Sequence, residues 1–217
     1  MKRVLIAGAV VFASVVGCQR SVDHAVVGDG QLATETRAVA GVREIVLHGA
    51  GTLEVKIAAP GPLELSGDRN LLPLISTTVE NGKLTIRPTR SIRPRSKLTF
   101  RLSVANLESL QIDGAARFRI APLDNDKLQI VLNGAAVGIV TGQTNMLDAT
   151  LAGAAELDAA ALVAKAVRIE IHGASNANVR AEETLDVSIS GVGKVRYSGD
   201  PKVTKHVQGL GVVEKAD

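Results

Sequence analysis

The sequence predicts an all-β fold wound as a parallel, right-handed β-helix-like solenoid, with coils of about 18–20 residues and an N-terminal hairpin elaboration. Three observations predict it. A short phrase of Gly followed by tiny residues recurs at near-constant spacing. Apolar and polar residues alternate on both sides of each phrase. No segment after residue 20 carries a capped helical pattern. An antiparallel β-meander or sandwich, with each phrase a hairpin turn, fits the same alternation and stays open.

The elements follow in chain order. Met1–Arg3 is a short basic segment and Val4–Val16 a run of thirteen mostly apolar residues, too short for a comfortable membrane span. The run ends in "VVGC", which resembles a bacterial lipobox: a small residue at Gly17, then Cys18, the only cysteine of the chain. Residues 1–17 therefore read as a lipoprotein signal peptide and Cys18 as the lipidation site. In that class of protein the thiol receives a diacylglycerol and the new N-terminus is acylated. Each buried methylene adds about 0.8 kcal/mol, so two or three acyl chains anchor firmly. A lone Cys has no disulfide partner within the chain. Gln19 follows the Cys, which by resemblance to Gram-negative lipoproteins favours the outer membrane, on either face. Formal charge is +3, and losing Lys2 and Arg3 with the peptide leaves about +1, a balance that selects no class of partner. Residues 18–38 read as the lipidated Cys and a flexible tether.

Residues 39–217 carry the repeat. Its anchors are Gly49, Gly114, Gly134, Gly153, Gly173, Gly191 and Gly209, and from Gly114 onward the steps are 20, 19, 20, 18 and 18 residues. Two before the anchor stand Leu47, Ile112, Leu132, Leu151, Ile171, Ile189 and Val207. Four before it stand Ile45, Leu110, Ile130, Ala149, Ile169, Val187 and Lys205, apolar in all but the last. Two after it every residue is tiny: Gly51, Ala116, Ala136, Ala155, Ser175, Gly193 and Gly211. Each unit is thus strand, corner, strand. Residues before the anchor vary freely, which hairpin chemistry would resist, and tiny residues in register suit stacked coils that bend tightly. One outward column holds Gln129, Asp148, Arg168 and Asp186, whose last three members would alternate in sign along a stacked face.

The period breaks between Gly49 and Gly114, where Gly67 reads as a degenerate anchor. Residues 68–105 read as an elaboration that caps the first coils. In it, "STTVENGKLTIRP" has Asn81-Gly82 between two alternating strands, a hairpin signal. The same stretch holds the clearest charge run: Arg87, Arg90, Arg93, Arg95, Lys97 and Arg101, with no acidic residue between Glu80 and Glu108. These six are a candidate anion-binding patch for lipopolysaccharide phosphates, acidic polysaccharide or a membrane surface. A solvated, aggregation-resistant edge hairpin explains the same residues.

No constellation points to catalysis. The histidines are His24, His48, His172 and His206, and no pair has metal-ligand spacing, so no metal and no cofactor are expected. "SGVGK" (190–194) lacks the Ser/Thr and the helix of a phosphate loop and reads as a repeat corner. The carboxylates are scattered over columns rather than gathered for acid–base work. No aromatic platform interleaves the cations, so nucleic acid is not expected.

The phrases "HGAGTLEV", "DGAARFRI", "NGAAVGIV", "AGAAELDA", "HGASNANV" and "SGVGKVRY", with "NLLPLISTTVENGKLTI" (70–86) and "YSGDPKVTKHVQGLGVVEK" (197–215), resemble the putative auto-transporter adhesin, head GIN domain family, over about residues 39–217. The resemblance implies a β-helix-like fold in exported bacterial proteins. Family corners often carry Ser and Asp where this chain has mostly Ala, which weakens any polar ladder there. No catalytic residue is carried over. The expectation is a non-enzymatic, lipid-anchored envelope protein, adhesin-like, whose rigid surface binds envelope polysaccharide or another surface protein. A polysaccharide-processing enzyme, and a structural or stress-related envelope component, stay open as alternatives.

Overall fold

The computed structural model describes residues 25–216. The signal peptide, Cys18, the first part of the tether and His24 lie outside the described residues. Among the described residues no helix is long and apolar enough to cross a membrane.

The fold is all-β. Its strands are β1 (Val26–Val27), β2 (Leu32–Arg37), β3 (Glu44–Ile57), β4 (Leu63–Asp68), β5 (Ile75–Glu80), β6 (Lys83–Pro88), β7 (Ile92–Arg93), β8 (Thr99–Val104), β9 (Ser109–Gly134), β10 (Val137–Gly153), β11 (Glu156–Ser198) and β12 (Lys202–Lys215). At about 3.3 Å per residue, a straight strand as long as β11 would span about 140 Å. It bends instead, at its glycines.

Successive repeats pair in parallel, anchor against anchor. Gly49 lies beside Gly114 in β3–β9, Gly134 beside Gly153 in β9–β10, Gly153 beside Gly173 in β10–β11, and Gly191 beside Gly209 in β11–β12. Ala135 N–H donates to Gly114 O at 3.0 Å, joining the two repeats inside β9. Antiparallel pairs among the described residues are confined to β2–β4, β4–β8 and β5–β6. The pairing of the repeats is therefore not that of a meander.

The need for glycine at the anchors has two causes. Gly153 has φ 116° and Gly173 φ 125°, values that a side chain disfavours. The backbone of the previous repeat also passes underneath. A Cβ on Gly153 would lie 2.5 Å from Gly134 O, and one on Gly173 would lie 2.6 Å from Gly153 O.

The columns explain the core. The position two before the anchor is at most 1% exposed at Leu47, Ile112, Leu132, Leu151, Ile171 and Ile189. Each such side chain stabilises the fold by about 1.5–3 kcal/mol of transfer free energy. The tiny residues two after the anchor are interior as well: Ala116, Ala136, Ala155 and Ser175 are buried. Their size is set by the space inside the corner.

The N-terminal part caps the stack. The β5–β6 hairpin turns at Asn81 (φ 52°) and Gly82 (φ 83°), the two positive values of a type I′ turn. β3 carries β9 on one side. On the other it carries β6 along 44–47 and β8 along 52–57, all parallel. The open edge of the first repeat is thereby closed.

Three expectations are corrected. Gly67 is no anchor: it lies inside β4, opposite Ala33 of antiparallel β2, and its backbone has no positive φ. The local phrase is similar, but the neighbour runs the other way. The tether is shorter than residues 18–38, because β1 and β2 lie within that range and pair with β7 and β4. Weak periodicity hid β2 because its exposure only alternates between exposed and half-buried. The outward column has the expected register, with Gln129, Asp148 and Arg168 side by side. Its ion pairs differ, however: Arg168 reaches Glu170 at 2.9 Å, and Asp148 faces Lys127 at 3.9 Å.

Candidate functional site

The Arg-rich stretch forms a strap, residues 91–98, laid across the first corners. Pro94 and the short β7 keep it extended. Its position is decided by Asp68, a buried carboxylate at the end of β4. Asp68 Oδ1 accepts from Gly30 N at 2.9 Å and Ser96 Oγ at 2.8 Å, and Oδ2 accepts from Arg95 N at 2.8 Å and Ser96 N at 3.0 Å. Burial alone would push this carboxyl's pKa up. The Ser96, Arg95 and Gly30 donors outweigh burial and hold it below its ordinary 3.8. The residue is therefore an ion whose charge is met by backbone dipoles. A side chain on Gly28 would strike this carboxylate. Asn70 completes the clamp: its Oδ1 accepts from Asp29 N at 2.9 Å and its Nδ2 donates to Val27 O at 2.8 Å.

The six predicted cations divide. Arg87 stands on β6; Arg90, Arg93, Arg95 and Lys97 stand on or just before the strap, and all five are exposed. Among the described residues, no carboxylate pairs with Arg87, Arg93, Arg95 or Lys97. Arg101 is different. From β8 it reaches Glu54 and Glu64, each at 2.9 Å, and these two glutamates raise its pKa further.

Depressions flank the strap. One, of about 330 Å3, has an apolar wall of Ile75, Ile86, Ile92 and Phe100, with His48 and Arg87 as its ionisable residues. The other, of about 400 Å3, lies along Thr52, Lys97, Arg117 and Val137. Arg117 escapes a reading for charge runs, because register rather than sequence brings it to the strap.

Sequence reasoning also missed a polar column just before the anchors. Asp113 accepts from Asn133 Nδ2 at 2.7 Å and Gln111 Nε2 at 2.8 Å, and faces His48 Nδ1 at 3.1 Å. The signal was in the alignment of repeats, since His48, Asp113 and Asn133 share one column. His172 faces Glu170 at 3.8 Å, and His206 meets Gln208 at 3.1 Å. Among the described residues, no three His, Cys, Asp or Glu side chains gather as metal ligands.

The far end of the stack has another character. Among the described residues, β12 pairs with β11 alone. Val207 continues the column that is buried in six earlier repeats, yet it is 38% exposed. The position after the anchor is Ala in the first four repeats of the unbroken stretch and becomes Val192 and then Leu210. These two are 54% and 78% exposed, and they lie side by side.

A family model described as putative auto-transporter adhesin, head GIN domain matches residues 42–201. Among solved structures, a putative adhesin from Bacteroides fragilis is similar at 19% identity and TM-score 0.72, covering 88% of this chain and 100% of that one. A putative adhesin from Parabacteroides distasonis is similar at 22% identity and TM-score 0.68, covering 89% and 100%. A putative lipid binding protein from the same organism has 22% identity and TM-score 0.57, also covering 89% and 100%. At these identities the likeness shows the fold. No curated protein matches the chain.

Proposed function

Because the chain belongs to the family described as putative auto-transporter adhesin, head GIN domain, we propose that it is an exported, non-enzymatic envelope protein that works as an adhesin-like binding scaffold. In this reading it is held in the outer membrane by lipid on Cys18 and wound as a right-handed β-helix of 18–20-residue coils. Anchor-on-anchor parallel pairing supports the winding. The lipobox-like "VVGC" supports the anchor.

The observation that carries the binding reading is the unfinished end at β12. An inner column buried in six repeats is laid open at Val207, and a long strand edge has no partner among the described residues beside the exposed ridge of Val192 and Leu210. A free edge with apolar neighbours is a template for an added strand. Lys202 and Lys205 lie on that edge strand, while Lys215 is held by Asp200 at 2.7 Å, so the fitting partner is an extended protein segment bearing apolar and acidic side chains.

The test is capture from envelope extract by the chain from Gln19 to Asp217, compared with a Leu210→Glu/Val212→Glu variant. We expect one specific partner protein, bound at least tenfold more weakly by the variant. Equal capture by both proteins, or none by either, sinks the proposal. Turnover of acidic polysaccharides by the purified chain would overturn the non-enzymatic part.

A further inference from the structure

The position of the N-terminal entry to the fold bears on the role of the strap. β1 pairs with β7, so the chain joins the fold on the strap itself. Val26 N–H donates to Ser91 O at 2.9 Å, and Gly28 N–H donates to Arg93 O at 3.0 Å. From Cys18 to Ala25 is a reach of seven residues, at most about 25 Å even when fully extended. Any lipid on Cys18 is thus tethered within about 25 Å of the point where the chain meets the strap.

The charges there also differ from those of four paired arginines elsewhere. Arg101, Arg168, Arg180 and Arg196 each reach a glutamate within 3.0 Å. On the strap, Arg93, Arg95 and Lys97 point into solvent with no carboxylate partner among the described residues, and Arg87 joins them from β6. Of the nearby anions, Asp68 is buried and fully engaged by N–H and O–H donors, and the exposed Asp29 accepts from Gln31 N at 2.9 Å. The Asp68 clamp also holds the strap in one shape, so little ordering is needed on binding.

We propose that this strap is a membrane-docking face that binds the anionic headgroups of the bilayer to which the chain is tethered. The inference rests on the reading of Cys18 as a lipid anchor. An anionic surface attracts each nearby Lys or Arg, and a basic patch beside an acyl anchor makes a two-part attachment. The geometry also orients the molecule. Six steps of stacking separate Gly49 from Gly209, about 29 Å at the spacing of paired strands. Docking through the strap holds the first repeats at the bilayer and carries β12 away from it.

The test uses the chain from Gln19 to Asp217, which keeps every described element but has no acyl chains. It is sedimented with vesicles of phosphatidylcholine alone or with phosphatidylglycerol added. We expect binding only to the anionic vesicles, lost in high salt. Binding should be at least tenfold weaker in an Arg93→Ala/Arg95→Ala/Lys97→Ala variant, which leaves the backbone donors to Asp68 in place. A control triple, Arg168→Ala/Arg180→Ala/Arg196→Ala, removes the same charge and should bind as the parent does. Equal binding to neutral vesicles, equal loss in both triples, or no binding at all overturns the proposal. So does inorganic phosphate alone, if it stabilises the protein against heat as much as the vesicles do and only when the strap is intact. Labelled palmitate incorporation, abolished by Cys18→Ser, reports separately on the anchor, and the Leu210 variant reports separately on the β12 end.

Discussion

Phe118 and Gly138 lie side by side in β9 and β10, and the ring of Phe118 fills the space that a side chain on Gly138 would need. One large and one absent side chain share a single interior volume in neighbouring repeats. The column reads Leu53, Phe118, Gly138, Leu157, so the average fill is preserved while individual sizes swing.

This pair gives the first prediction. Gly138→Val overpacks the corner and should destabilise the protein by about 2–3 kcal/mol. Phe118→Ala leaves a cavity and should cost about 3–5 kcal/mol. The double variant should be more stable than the sum of the two implies. A denaturant double-mutant cycle measures the coupling, and strict additivity would show that the shared volume is not what links them.

A second prediction separates anchors from their neighbours. Gly153→Ala must resolve both a left-handed backbone and a carbonyl 2.5 Å away, so it should cost about 2 kcal/mol or more. Ala154→Ser, one residue on and exposed, should change the melting temperature by no more than a degree or two. Similar losses for both variants would remove the special status of the anchor.

The third concerns pH. The Asp68 carboxyl is held below 3.8 in the folded state by its donors, so the unfolded chain binds its proton first as pH falls. Its contribution to stability is complete above the unfolded value and is lost as pH drops through the lower folded value. Urea midpoints should fall between pH 5 and pH 2 in the parent, and fall less in Asp68→Ala. At pH 7 that variant should be less stable by about 2–3 kcal/mol, since buried N–H groups lose their acceptor.

A fourth concerns the free edge. Lys205 occupies a column that is apolar in all six earlier repeats, and a charge set toward the core side of an edge strand deters self-pairing. The chain from Gln19 to Asp217 should remain monomeric by light scattering as its concentration rises. Lys205→Val should associate. A monomeric variant would mean that the edge is guarded by something else.

Much of this molecule could be read along the chain, because its contacts repeat. Each column of the repeat meets itself in the next repeat, so the burial of Leu132 or Ile171 and the glycine at 153 follow from spacing alone. The hairpin at Asn81-Gly82 was legible for the same kind of reason, since it is made by adjacent residues.

What spacing could not decide was direction and distance. A Gly corner between alternating strands suits parallel and antiparallel neighbours alike, and only the hydrogen-bonded register, Gly49 on Gly114 and Gly191 on Gly209, settled which neighbour each strand has. Gly67 shows the cost of that ambiguity: it has the corner's local phrase and an antiparallel partner. The strap was legible as a run of cations, but not as a fixed surface. Asp68 reaches the Arg95 and Ser96 donors across 27 and 28 residues, and Val26 meets Ile92 from the other end of the N-terminal region. Alternation and composition report a residue's own environment. Which distant segment supplies that environment is a property of the folded chain, and here it decides where the cations stand relative to β1.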